Sequence, residues 1–86
     1  MIMDNNFEQL IISTGKMLTY DNGYYSFELE NDEILDFEEV NPSILELYNL
    51  KSGDYSNRKF YIEYLEIVLS EEANDVVFRI NKLKLM

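Results

Sequence analysis

Apolar and polar residues alternate with different periods along the chain, and the changes of period mark its elements. Residues 4–14 place Phe7, Leu10, Ile11 and Thr14 at i, i+3, i+4 and i+7, with Asp4 or Asn5 as an N-cap. Gly15 stands where a C′ residue belongs, and Lys16 follows near the negative end of the helix dipole. This spacing predicts a first helix, although the β-branched run Ile11-Ile12-Ser13-Thr14 favours a strand. Residues 17–20 and 24–30 flank Asp21-Asn22-Gly23, where an Asn-Gly step supplies the positive φ angles of a tight hairpin turn. In the second arm Tyr25, Phe27 and Leu29 share one face, against Tyr24, Ser26, Glu28 and Glu30 on the other.

Asn31 or Asp32 can then cap a short acidic helix that carries Ile34, Phe37 and Val40 and stops at Asn41-Pro42. Residues 43–50 fit strand or helix; their length and the Lys51-Ser52-Gly53-Asp54 turn favour a strand. Residues 59–69, rich in Tyr, Ile, Phe and Val, read as a long strand, and 70–75 as a polar loop. In 76–85, Val76, Phe78 and Ile80 oppose Val77, Arg79 and Asn81 before the parity shifts at Lys82-Leu83-Lys84-Leu85. These last two strands pair as an antiparallel hairpin. The expected fold is α+β: a small, mostly antiparallel sheet of four to five strands with two short helices, in one domain spanning residues 1–86.

Composition narrows the chemistry. With 47% hydrophobic residues and twelve aromatics, seven Tyr and five Phe, the chain falls outside the regime of disordered acidic proteins. It contains neither Cys nor His, which removes disulfides, Cys/His zinc sites, thiol nucleophiles and imidazole catalysis. No calcium-loop ladder or Gly-rich phosphate loop occurs, and abundant carboxylates alone do not make an acid–base pair. No catalytic residue, metal or cofactor is therefore expected. No basic leader opens the chain and no apolar run approaches ~18 residues, so it reads as cytoplasmic and soluble.

The formal net charge is −10, from seven basic and seventeen acidic residues. Such a field disfavours direct contact with nucleic acid and steers cationic proteins inward. It is concentrated in 27–40, FELENDEILDFEEV, where seven of fourteen residues are carboxylates and no Lys or Arg intervenes between Lys16 and Lys51. On a helix, carboxylates three or four apart stand ~5–6 Å from one another. Glu33 and Asp36, continued by Glu28 and Glu30 on the preceding strand, then form an ordered row of negative charge in place of DNA phosphates. Ile34 and Phe37 either add an apolar notch for a protruding side chain or simply face the core. Tyr24 and Tyr25, beside this stretch, are interface candidates, while most of the tyrosines suit half-buried strand positions.

Several segments resemble the phage uracil-DNA glycosylase inhibitor family, small acidic α+β proteins that mimic DNA. The opening NNFEQLIISTGKML is similar to that family's first helix, with Thr14-Gly15-Lys16-Met17-Leu18 matching its Thr-Gly-Lys-x-Leu end. SFELENDEILDFEEV matches a strand followed by an acidic helix of the form Glu-Glu-Val-Glu-Glu-Val, here residues 32–37. Pro42-Ser43-Ile44-Leu45 resembles the next strand's start, and NKLKLM the family's terminus. The resemblance implies that the strand before the acidic helix meets the glycosylase through a Glu-Ser pair. Here that pair is Tyr25-Ser26, so Glu28 or Glu30 has to supply the carboxylate. It further implies helix carboxylates at Glu33 and Asp36, and a pocket of Leu29, Ile34 and Phe37 for the enzyme's intercalating leucine. The C-terminal third aligns in two registers, and nothing is carried over from it.

The sequence thus leads to a non-enzymatic protein inhibitor from a phage or mobile element. It acts as a DNA mimic on a basic host enzyme, uracil-DNA glycosylase first, as a monomer in a 1:1 complex, with no membrane and no nucleic acid bound directly. An anti-CRISPR or anti-restriction mimic aimed at a host nuclease is the nearest alternative, and a toxin-binding immunity protein the alternative from another class.

Overall fold

One strand touches both halves of the molecule. In the computed structural model, which describes residues 7–70 and 75–86, β1 (Phe7–Asp21) pairs with β2 (Tyr24–Leu29) through its second half and with β5 (Lys59–Ser70) through its first. β3 (Ile34–Phe37) lies beyond β2, and β6 (Asp75–Leu85) beyond β5. A two-residue strand, β4 (Glu39–Val40), pairs in parallel with β6 at Glu39↔Arg79 and Val40↔Ile80. The order β3-β2-β1-β5-β6-β4 makes one six-stranded mixed sheet. Its outermost strands, β3 and β4, are separated in sequence by Glu38 alone, so the chain steps from one sheet edge to the other and curls the sheet on itself. Between β4 and β5 lie the single short helix α1 (Pro42–Leu47) and a 3-10 turn at Leu50–Ser52.

The expected hairpin at Asn22-Gly23 is present. Asp21 pairs with Tyr24, and φ is 55° at Asn22 and 86° at Gly23, the left-handed geometry of a two-residue turn. The β5–β6 hairpin is present too, and the parity shift has a physical cause. Glu63 faces Lys82 while Tyr64 faces Ile80, so Asn81 is an extra residue in β6; both Ile80 and Leu83 can then point inward. The loop expected at 70–75 lies partly outside the described residues, with Ser70 and Asp75 paired at its base.

Three expectations are corrected. The first helix is strand: β1 runs from Phe7 to Asp21, and the proposed caps Asp4 and Asn5 lie outside the described residues. Both faces of its first half carry apolar side chains, which hides the period of two and imitates a helical stripe. The acidic helix is the turn after β2 followed by β3, in which Leu35 and Phe37 point inward while Ile34 and Asp36 point outward. Finally, 43–50 is helix α1 and a 3-10 turn rather than a strand. Asn41 caps α1 by accepting from Ser43 N at 3.1 Å, with Pro42 in the first turn, so the Asn-Pro step starts a helix here instead of ending one.

The inward positions of the five longer strands, with Ile44 of α1 and Leu50 of the 3-10 turn, make the core. Phe27, Phe37, Phe60, Ile62 and Ile80 are fully buried, joined by Met17, Leu29 and Leu83. A buried side chain of this size contributes roughly 1.5–3 kcal/mol. Phe37 meets Phe27, Tyr64 and Phe78 edge-on, at centroid distances of 5.7, 5.1 and 6.3 Å. It thereby ties β3 to the far side of the curled sheet. At the other end Tyr48 and Tyr55 pack on Phe60, and the Tyr48 hydroxyl accepts from Leu85 N at 3.1 Å. Gly15 lies at a close approach of strands: a Cβ there would meet Glu28 O, Ile62 Cδ1 and Leu29 Cδ2, each at 3.0 Å.

Candidate functional site

Alternation along β2 and β3 sorts the acidic stretch into an inside and an outside. Tyr25, Phe27, Leu29, Leu35 and Phe37 turn toward the core, leaving Ser26, Glu28, Ile34 and Asp36 on the outer face. The register sets Ser26 opposite Asp36 and Glu28 opposite Ile34. Ser26 Oγ donates to Asp36 Oδ1 at 2.5 Å, and Lys16 Nζ lies 3.6 Å from Glu28 Oε1 across the β1–β2 pair.

The turn between β2 and β3 carries the rest of the charge. Asp32 N donates to Leu29 O at 2.9 Å, Leu29 N donates to Glu33 O at 2.8 Å, and Asp32 sits at φ 69°. Asn31 Oδ1 accepts from Glu33 N at 3.0 Å, an Asx turn rather than a helix cap. Glu30 accepts from Thr14 Oγ1 at 3.1 Å. The tip therefore presents Glu30, Asp32 and Glu33 to solvent, all exposed. A shallow cleft of about 320 Å³ lies beside it, lined in part by Thr14, Lys16, Glu28, Glu30 and Lys59.

All four expected carboxylates, Glu28, Glu30, Glu33 and Asp36, thus lie at the surface of the β2–β3 hairpin. Their row runs along a strand and its turn instead of a helix. The apolar half of the site is corrected. Leu29 (4% exposed) and Phe37 (0%) are core, as is Tyr25, because their strand parity is the inward one. Of the expected pocket only Ile34 remains outside, 58% exposed and next to Glu28. No pocket for a hydrophobic wedge forms from these three residues.

Two acids of the run that the sequence reading did not assign to the site gather elsewhere. Glu38 and Glu39 line a second shallow cleft, of about 560 Å³, together with Tyr25, Pro42 and Arg79. Arg79 sits within it as a counter-ion to Glu39. Both acids were visible as part of the acidic run; what the sequence lacked was the β4–β6 pairing that brings Arg79 to them.

Among the described residues no group of three or more acidic side chains is arranged to hold a metal ion, and no helix is long and apolar enough to cross a membrane. Two tyrosines have raised hydroxyl pKa values. For Tyr61 the first cause is its 2.6 Å hydrogen bond to Glu63; for Tyr64 it is burial, reinforced by the negative fields of Glu33 and Glu66. Compared with known proteins, the chain matches no family model, no curated protein and no solved structure.

Proposed function

We propose that the chain is a non-enzymatic acidic inhibitor that occupies the DNA-binding groove of a basic DNA-processing enzyme, uracil-DNA glycosylase being the first target to test. One observation carries the reading: the carboxylates of the β2–β3 hairpin all face solvent, with Lys16 as the close counter-ion of Glu28. Alternate strand residues stand ~6.8 Å apart on one face, about twice the 3.4 Å axial rise per phosphate of a DNA strand. Glu28 and Glu30 fit that spacing, and Asp36 and Glu33 extend the field beside them. Ile34 supplies the apolar contact in place of a pocket.

The strand plan adds support by analogy. Counting β3 and β4 as one interrupted strand gives five strands in a partly open Greek-key barrel with β1 shared. In barrels of the OB plan, the face of the second and third strands is where oligonucleotides bind. Fold analogy alone assigns no function. Here that face carries carboxylates, which repel phosphate and attract a cationic protein surface. If the source is a phage, the place of action is the host cytoplasm.

A uracil-excision assay with bacterial uracil-DNA glycosylase tests the reading. Near-stoichiometric inhibition is expected, with association slowed by added salt and with Glu33→Lys/Asp36→Lys losing most of it. Absence of inhibition overturns the glycosylase version. Protection of DNA from a restriction or CRISPR nuclease in the same format would move the target to that enzyme. Full activity of the double variant would remove the acidic hairpin from the mechanism.

A further inference from the structure

The few bases of this acidic chain are gathered instead of dispersed among the acids. Lys16 and Arg79 have carboxylate partners in Glu28 and Glu39, whereas Lys51, Arg58, Lys59, Lys82 and Lys84 form no ion pair among the described residues. Three of these unpaired lysines share the outer face of the β5–β6 hairpin. Phe60, Ile62 and Leu83 point inward, so Lys59, Tyr61 and Glu63 of β5 point outward with Lys82 and Lys84 of β6. The register sets Tyr61 opposite Lys84, Glu63 opposite Lys82, and Lys59 opposite Lys16 of β1. Lys16 and Lys59 are thus like charges directly across a ladder, an arrangement that destabilises the sheet unless an anion lies near. The carboxylate within reach is occupied: Glu63 Oε2 accepts from the Tyr61 hydroxyl at 2.6 Å. Beside Tyr61 lies a shallow cleft of about 480 Å³, lined also by Lys82, Lys84, Leu85 and Met86. Its walls are a ring, two apolar side chains and two lysine stems, so the cations stand at the rim of an apolar surface.

We infer that this cleft binds a small aromatic phosphate monoester, of the size of a nucleoside monophosphate. Its volume falls within the ~300–1,000 Å³ range of small-molecule sites. Tyr61, flanked by Leu85 and Met86, offers a flat apolar face to an aromatic body. Lys82 and Lys84 project from one side of a strand, ~6.8 Å apart at the backbone. Two flexible ammonium groups suit a phosphate, of charge about −1.5 to −2 at neutral pH, better than a singly charged carboxylate. The charge of the whole chain limits the ligand's size. A net charge of −10 repels a polynucleotide, with its many phosphates, far more than a ligand that carries one. The site is independent of the inhibitor reading, because β1 lies between this hairpin and the acidic one in the sheet.

An amide NMR titration of the full chain with adenosine monophosphate tests the assignment. Shifts are expected at Tyr61, Lys82, Lys84 and Leu85, and none at Asp32 or Asp36. Adenosine and inorganic phosphate each carry one half of the ligand and should bind about tenfold more weakly or worse, for want of the charge-assisted contacts or of the stacking surface. Lys82→Gln/Lys84→Gln should lower the affinity by about tenfold or more. Tyr61→Leu should lower it as well, whereas Tyr61→Phe, which keeps the ring, should not. The amide spectrum of each variant reports its fold directly. An absence of shifts at the cleft overturns the inference, as do shifts that persist in a folded lysine double variant. Inorganic phosphate binding as tightly as the nucleotide overturns it too, since the face is then a general anion patch. Tighter binding of oligoadenylate than of the monophosphate would make the face a single-strand platform and overturn it likewise.

Discussion

Arg79 reaches one carboxylate oxygen of Glu39 with two nitrogens, Nε and Nη2, each at 2.8 Å. The pair spans the parallel β4–β6 contact that closes the curled sheet. Both side chains are substantially exposed, so the expected contribution is modest, about 0.2–1 kcal/mol and reduced by salt. A double-mutant cycle with Glu39→Gln and Arg79→Ala, read by urea denaturation at low and high salt, should return a coupling in that range. A coupling several times larger would show that the pair, rather than the core beneath it, holds the sheet closed.

Two glycines should fail for different reasons. At Gly15 the φ is ordinary but space is lacking, because a Cβ presses on the backbone carbonyl of Glu28. Gly15→Ala should destabilise by roughly 1–3 kcal/mol through overpacking. Gly23 has open space around it but a φ of 86°. Gly23→Ala should cost about 1–2 kcal/mol of backbone strain alone. Gly23→Asn, which tolerates the left-handed region, should recover part of that loss, whereas Gly15→Asn should be worse than Gly15→Ala. Chemical denaturation of the four variants checks the pattern.

Phe37 and Ile34, three residues apart, should respond oppositely. Phe37→Ala opens a cavity among Phe27, Tyr64 and Phe78 and should cost about 3–5 kcal/mol, a large share of the stability of a domain this small. Ile34→Ser should stay within about 0.5 kcal/mol, as exposed substitutions do, while weakening any complex made through the hairpin. Thermal melts of the free chain separate the two. Comparable losses would mean that Ile34 is buried in solution.

That pair shows what the sequence could and could not tell. The Asn22-Gly23 hairpin and the shift of parity at Lys82 were legible because turn geometry and strand alternation are local properties, whereas the extra residue that causes the shift, Asn81, shows only in the register with β5. The acidic stretch was not. An Asn side chain bonding the N–H two residues on serves a helix cap and an Asx turn alike, so Asn31 was ambiguous, and Asn41 truly caps a helix. The spacing of Ile34 and Phe37 suits a helix, but Leu35 between them belongs to the inward face of a strand. The position of this stretch's carboxylates at the surface was readable from charge alone. Whether Leu29 and Phe37 faced in or out depended on the sheet curling over them, a tertiary fact.

Alkaline pH should expose Tyr64. Burial first, and then Glu33 and Glu66, raise its hydroxyl above the ordinary 10.0. The folded chain thus holds the proton more tightly than the unfolded one. The associated stability is complete below pH 10 and is lost as pH rises through the folded value. Denaturation midpoints measured from about pH 9 to about pH 12 should fall in the wild type and fall less in Tyr64→Phe. Tyr61, raised by its hydrogen bond to Glu63, leaves a residual slope in that variant. Equal slopes in both proteins would assign the alkaline limb to other groups.

The double partnership of β1 also sets the order in which the chain can fold. β1 joins β2 across a two-residue turn, and β5 joins β6 across another short connection; hairpins of this kind form in ~1–10 μs. The contact between them is of another sort, since Gly15 meets Phe60 only after the intervening strands, helix and turns have been looped out. That closure costs entropy before any core contact repays it, so it governs the rate, as in other sheets of non-local pairing. Until β1 and β5 meet, Phe27 and Phe60 belong to separate hairpins, each with one apolar face open to water, and the core comes into being in that single late step.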